Sequence, residues 1–168
     1  MIIKLAGIMM IVSASVLMGI VMSLKLSERV KTVELLISLA DEISSEIRFR
    51  SYTVMEITEH IYNNSNYKKL DFIAEIVKMS KTKYDIHEMW REAVIKSDIL
   101  HGDEKDIMIS MGNLLGTSDT EGQISAIELH KKRLERVLEN AVREYEQKGR
   151  MYRSMGVLAG AMAGIMLF

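Results

Sequence analysis

The chain contains no cysteine and no proline. The first absence excludes disulfides, thiolate metal sites and cysteine nucleophiles. The second points to helix, because helix interiors reject proline and a chain without it reads as helical nearly throughout. Charge is missing by region rather than overall. Between Lys4 and Lys25 run twenty uncharged residues, Leu5 to Leu24, and after Arg153 none of residues 154–168 is charged. Every acidic residue, and every Lys or Arg except Lys4, lies between those stretches. The formal net charge of −1 gives no reason to propose nucleic acid as a partner.

Twenty apolar residues at about 1.5 Å each match the roughly 30 Å hydrocarbon core of a bilayer. Residues 1–25 are therefore expected to form an N-terminal transmembrane helix. The stretch 154–168 is shorter and spans by drawing on Met151 and Tyr152 or by thinning the bilayer, at modest cost. Lys4, an apolar core and the small residues Ser13, Ala14 and Ser15 would also suit a cleaved signal peptide. Against that, the apolar run continues beyond them, and the basic residues follow it. Lys25, Arg29 and Lys31 follow the first stretch, and Lys148, Arg150 and Arg153 precede the second. Both stretches thus place residues 26–153 in the cytoplasm and both termini outside.

The charged middle divides into helical segments. Leu26, Val30, Val33, Ile37, Ala40 and Ile47 recur at helical spacing over 27–50. Thr53 and Glu56 form a capping box for a short second helix, and Asn63 to Asn66 is a loop by composition. A third helix is expected over 67–82. A fourth is capped by Asp85 with Glu88 and carries Met89, Trp90, Ala93 and Val94. A fifth runs from Asp103 to Leu115, where Gly116 suits its end. Ser118 and Glu121 form a second box that opens a last helix continuing to Phe168. The expected fold is all-α: a cytoplasmic six-helix bundle flanked by an N-terminal and a C-terminal transmembrane helix.

No catalytic constellation accompanies this architecture. None of the ten glycines opens a phosphate-binding loop ending in Gly-Lys-Ser/Thr, and no serine sits in a nucleophile elbow. His60, His87, His101 and His130 fall on different segments without metal-ligand spacing. The chain reads as a non-enzyme without a cofactor, and what remains are interaction surfaces. Gly156, Gly160 and Gly164 recur every fourth residue, and Ser15, Gly19 and Ser23 offer a matching row on the first apolar stretch. Small residues at this spacing let helix backbones approach closely in lipid. Glu42 and Glu46 form a like-charge pair one turn apart; Arg50 can relieve Glu46, whereas Glu42 and Arg48 lack local partners.

The run Lys148-Gly149-Arg150-Met151-Tyr152-Arg153-Ser154, within Glu144 to Gly160, resembles the stage III sporulation protein AB family. Leu26 to Arg29, Glu42 to Ile47, and Leu115 to Asp119 with Gln123 extend the resemblance along the chain. Val30 and Val54 stand where that family often has proline. The resemblance implies a six-helix domain similar to those of the inner-membrane platform protein (F-type) of type II secretion and type IV pilus systems. It also implies a structural role in the mother cell–forespore channel complex required for endospore formation. The expected partners are a secretion-type ATPase like stage III sporulation protein AA, other channel subunits and membrane lipid. The expected location is the mother-cell membrane around the forespore. Candidate partner-binding residues are Glu42, Glu46, Arg48, Asp119 and Gln123. The competing reading is an exported or membrane-tethered helical scaffold or sensor protein.

Overall fold

The computed structural model describes residues 2–50, 53–82 and 85–167, the side chains of 2–6, 8, 153 and 163–167 excepted. Six helices follow in order: α1 (Ile2–Arg50), α2 (Val54–Asn63), α3 (Asp71–Met79), α4 (Ile86–Lys96), α5 (Gly102–Gly112) and α6 (Thr120–Leu167). A single 3-10 turn, Ser65–Tyr67, precedes α3, and no strand occurs among the described residues. The chain forms two compact units: unit 1 joins Met1–Lys31 to Glu139–Phe168, and unit 2 comprises Thr32–Leu138. Both long helices, α1 and α6, contribute residues to each unit.

Local chemistry sets the helix starts. In the Thr53–Glu56 capping box, Glu56 N–H donates to Thr53 Oγ1 at 3.3 Å and Thr53 N–H donates to Glu56 Oε2 at 2.8 Å. Asp85 Oδ1 accepts from the amides of His87 and Glu88, at 2.9 and 3.4 Å. At α6 the cap is Asp119 rather than the expected Ser118: Asp119 Oδ1 accepts from Gly122 N–H at 3.2 Å. The carbonyl of Ser118 is taken instead by the Gln123 amide, at 2.8 Å. The third helix is shorter than its apolar spacing suggests. Asn64 Oδ1 accepts from Asn66 N–H at 3.1 Å, a side-chain bond that competes with helix and leaves Tyr67 in the 3-10 turn.

Unit 2 holds the apolar core. Leu36, Leu39, Ala40 and Ile43 of α1 are fully buried, with Val33 and Ile47 completing the stripe. Ile37, expected inside, is only partly buried, because the buried face advances by threes and fours from Val33 and passes beside it. Trp90 of α4 is fixed within the same core: its indole N–H donates to the Met108 carbonyl at 2.8 Å, and its ring meets Phe72 edge-on with centroids 5.7 Å apart. Gly112 makes this possible, since a Cβ there would enter the Trp90 ring. The same requirement accompanies the end of α5 at Gly112, three residues before the expected Leu115. Gly116 follows in the turn with φ +75°, a left-handed value that glycine adopts without strain.

Candidate functional site

In unit 1, α1 and α6 pair antiparallel through small residues. The Ser15 hydroxyl donates to the Gly156 carbonyl at 2.8 Å. A Cβ on Gly156 would stand 2.8 Å from the Ser15 carbonyl oxygen, and one on Gly19 would stand 2.5 Å from that of Tyr152. One turn further, Gly160 would bring a Cβ to 3.3 Å from the Cα of Val12; in the other direction, Gly149 faces the hydroxyl of buried Ser23. Only glycine gives two helix backbones this approach. Gly164 lies within α6, but its surroundings fall outside the described residues. Beyond the seam Arg29 donates to Glu144 at 3.2 Å, and Lys148 bonds the other oxygen of that carboxylate at 2.5 Å. That bond raises the Lys148 pKa.

Unit 2 gathers the charged candidates differently. Glu42 and Glu46 project from α1 one turn apart, and α2 brings His60 against them: one ligand atom from each residue lies within 4.8 Å of the others. Glu46 is the unusual member, its side chain only 7% exposed. Its Oε1 lies 3.5 Å from His60 Nδ1, and its Oε2 lies 3.5 Å from Arg50 Nε, yet Oε2 makes no hydrogen bond. Negative charge also reaches Tyr67, whose pKa is raised first by burial and then by Glu42 and Asp41. Asp41 itself accepts from Lys131 of α6 at 2.6 Å, which raises the lysine pKa.

The other candidates separate from this cluster. Arg48 is exposed and lines an open groove of about 560 Å³ with Ile124, Ser125, Glu128, Leu129 and Lys132. Asp119 and Gln123 are occupied locally: Asp119 caps α6, while Gln123 accepts from Gly116 N–H at 2.7 Å and holds the turn before the helix. His60 is the residue that sequence spacing missed. Its one legible signal is phase, since it lies between Ile57 and Ile61, both buried, and so borders the inner face of α2. Among the described residues, Glu42, Glu46 and His60 are the group that could hold a metal ion.

An all-helical protein, with α1 long and apolar enough to cross a membrane and a separate charged bundle, is the class these observations define. The chain belongs to the stage III sporulation protein AB family, whose family model matches residues 4–168, and its role is accordingly in sporulation. Neither a curated protein nor a solved structure matches the chain.

Proposed function

We propose that the protein is a non-enzymatic membrane platform subunit of the mother cell–forespore channel complex, on which a secretion-type ATPase docks. The observation that carries this reading is the division of labour within α1. One helix supplies both the stretch apolar enough to cross a membrane and the Val33–Ile47 stripe of the unit 2 core. A platform needs that kind of element, one that a cytoplasmic motor and a membrane assembly can both load. Family membership over residues 4–168 supports the sporulation setting.

In this reading residues 154–168 form a second span, unit 2 faces the mother-cell cytoplasm and both termini lie outside it. The exposed Arg48 groove, with Leu129 at 54% exposure, is the proposed ATPase-facing surface. Arginine beside apolar area is the composition of interface anchors. Co-purification of the full chain with the neighbouring ATPase from sporulating cells tests the reading. Arg48→Glu with Leu129→Asp should abolish capture while the chain still accumulates in the membrane. A reporter within residues 63–66 should be cytoplasmic and one after Phe168 external. Undiminished capture by the double variant would reject the docking face, and a cytoplasmic signal from the C-terminal reporter would reject the second span.

A further inference from the structure

We propose that Glu42, Glu46 and His60 form a binding site for a divalent transition-metal ion, best matched by zinc, that ties α1 to α2. The donor set is two carboxylates and one imidazole, a combination that zinc accepts in sites with an open position. Two ligands bound at about 2.1 Å and at a tetrahedral angle stand about 3.4 Å apart. His60 Nδ1 and Glu46 Oε1 already stand 3.5 Å apart, and one ligand atom from each of the three residues lies within 4.8 Å of the others. A shift within side-chain reach brings Glu42 to the same ion.

Burial supplies the independent argument. Glu46 is more than nine-tenths buried, and its Oε2 and the Nδ1 of His60 are buried atoms without a hydrogen-bond partner. A carboxylate removed from water normally fills its lone pairs, because an unmet buried charge is costly. Arg50 offers Glu46 partial compensation at 3.5 Å, from a side chain that is itself half exposed. It leaves the like-charge contact with Glu42 on the same face unrelieved. A dication between the three groups meets both needs and takes the imidazole nitrogen as well. His60 is 42% exposed, which gives the ion a route in and leaves room for a water as fourth ligand.

The test uses the full chain in detergent, stripped with chelator and titrated with zinc chloride by calorimetry, with cobalt(II) as the spectroscopic probe. One equivalent of zinc should bind, thermal unfolding should shift upward, and cobalt should give the visible bands of a low-coordinate N/O site. His60→Ala and Glu46→Gln should each weaken binding by at least about 100-fold, since loss of an outer-shell partner alone costs 10–100-fold. Glu59→Gln, an exposed neighbour on α2, should bind as the parent does. Circular dichroism verifies that each variant is helical; Glu42→Gln provides a second ligand deletion if Glu46→Gln unfolds. Absence of a stoichiometric site, or equal zinc affinity in parent and ligand-deleted chains, would overturn the proposal.

Discussion

Unit 2 buries large apolar side chains beneath a charged surface, whereas unit 1 packs glycine and serine together and turns methionine, leucine and valine outward. Among the described residues nineteen large apolar side chains are exposed, and fourteen of them lie in unit 1, on Met9–Leu24 and Met151–Met162. Such a surface is wrong for water and right for lipid. On the proposed reading, with unit 1 in the membrane and unit 2 in water, the contrast follows from what each solvent rewards. Water drives large apolar groups inward, so unit 2 is held by burial of Phe72, Leu36, Ile43 and Met108. Lipid provides no such force between helices, which leaves close approach and hydrogen bonding, and unit 1 has both at Gly156 and Ser15.

Truncating one side chain in each unit should give the largest separation. Phe72→Ala empties the fully buried site beside Trp90 and should destabilise unit 2 by about 3–5 kcal/mol, read as denaturant unfolding by tryptophan fluorescence. Leu158→Ala, at 63% exposure, should stay within about 0.5 kcal/mol in detergent. Similar losses at both positions would break the contrast.

Enlargement should reverse the sensitivities. Gly156→Val places branched carbon against the Ser15 carbonyl and should cost unit 1 about 1–3 kcal/mol. Spin labels at exposed Met18 and Met155 should report a broadened distance distribution, while Trp90 emission, which senses unit 2, should not move. Gly112→Val should do the opposite, shifting Trp90 emission to the red and leaving the label distance alone.

A third effect is tied to pH. His130 is buried at 4% exposure and neither ring nitrogen has a hydrogen-bond partner. Burial is the main cause of a pKa below the usual 6.5; the nearby Ser110 carbonyl opposes it and Arg133 adds to it. The unfolded chain therefore binds a proton near pH 6.5 that the folded chain still refuses. Stability from this group is present above pH 6.5 and is lost as pH falls toward the lowered value, by up to about 1.4 kcal/mol per unit. His130→Leu should flatten the dependence of melting temperature on pH between 7 and 5.5. An unchanged slope would assign it to other groups.

The smallest effect belongs to the surface pair. Asp41→Asn removes the carboxylate that accepts from Lys131, and Asp41 is 56% exposed, so the loss should be below about 1 kcal/mol and should shrink further in salt. A larger loss would mean that unit 2 depends on its surface charges as well as on its core.

Helix number, the Thr53 and Asp85 caps and the Trp90 core position were all legible in the sequence, because each is set by neighbours within one or two turns. The small-residue rows were legible as rows, and their pairing of Ser15 with Gly156 and Val12 with Gly160 required three dimensions. The approach of His60 to Glu46 was not readable, since no linear spacing records how α2 turns back on α1. Asp119 and Gln123 show the reverse limit. Their polarity suggested a partner, while the turn before α6 occupies both side chains.

The hydrogen bond from Ser15 to Gly156 joins residues 141 apart, so it also carries a kinetic consequence. Residues 12–23 are synthesised long before their seam partners 149–160, and every residue of unit 2 is made in the interval. Closing so long a loop directly is slow and entropically costly. Once unit 2 has folded, its Asp41–Lys131 bond already holds α1 beside α6, and the remaining loop is short. The seam should therefore zip last.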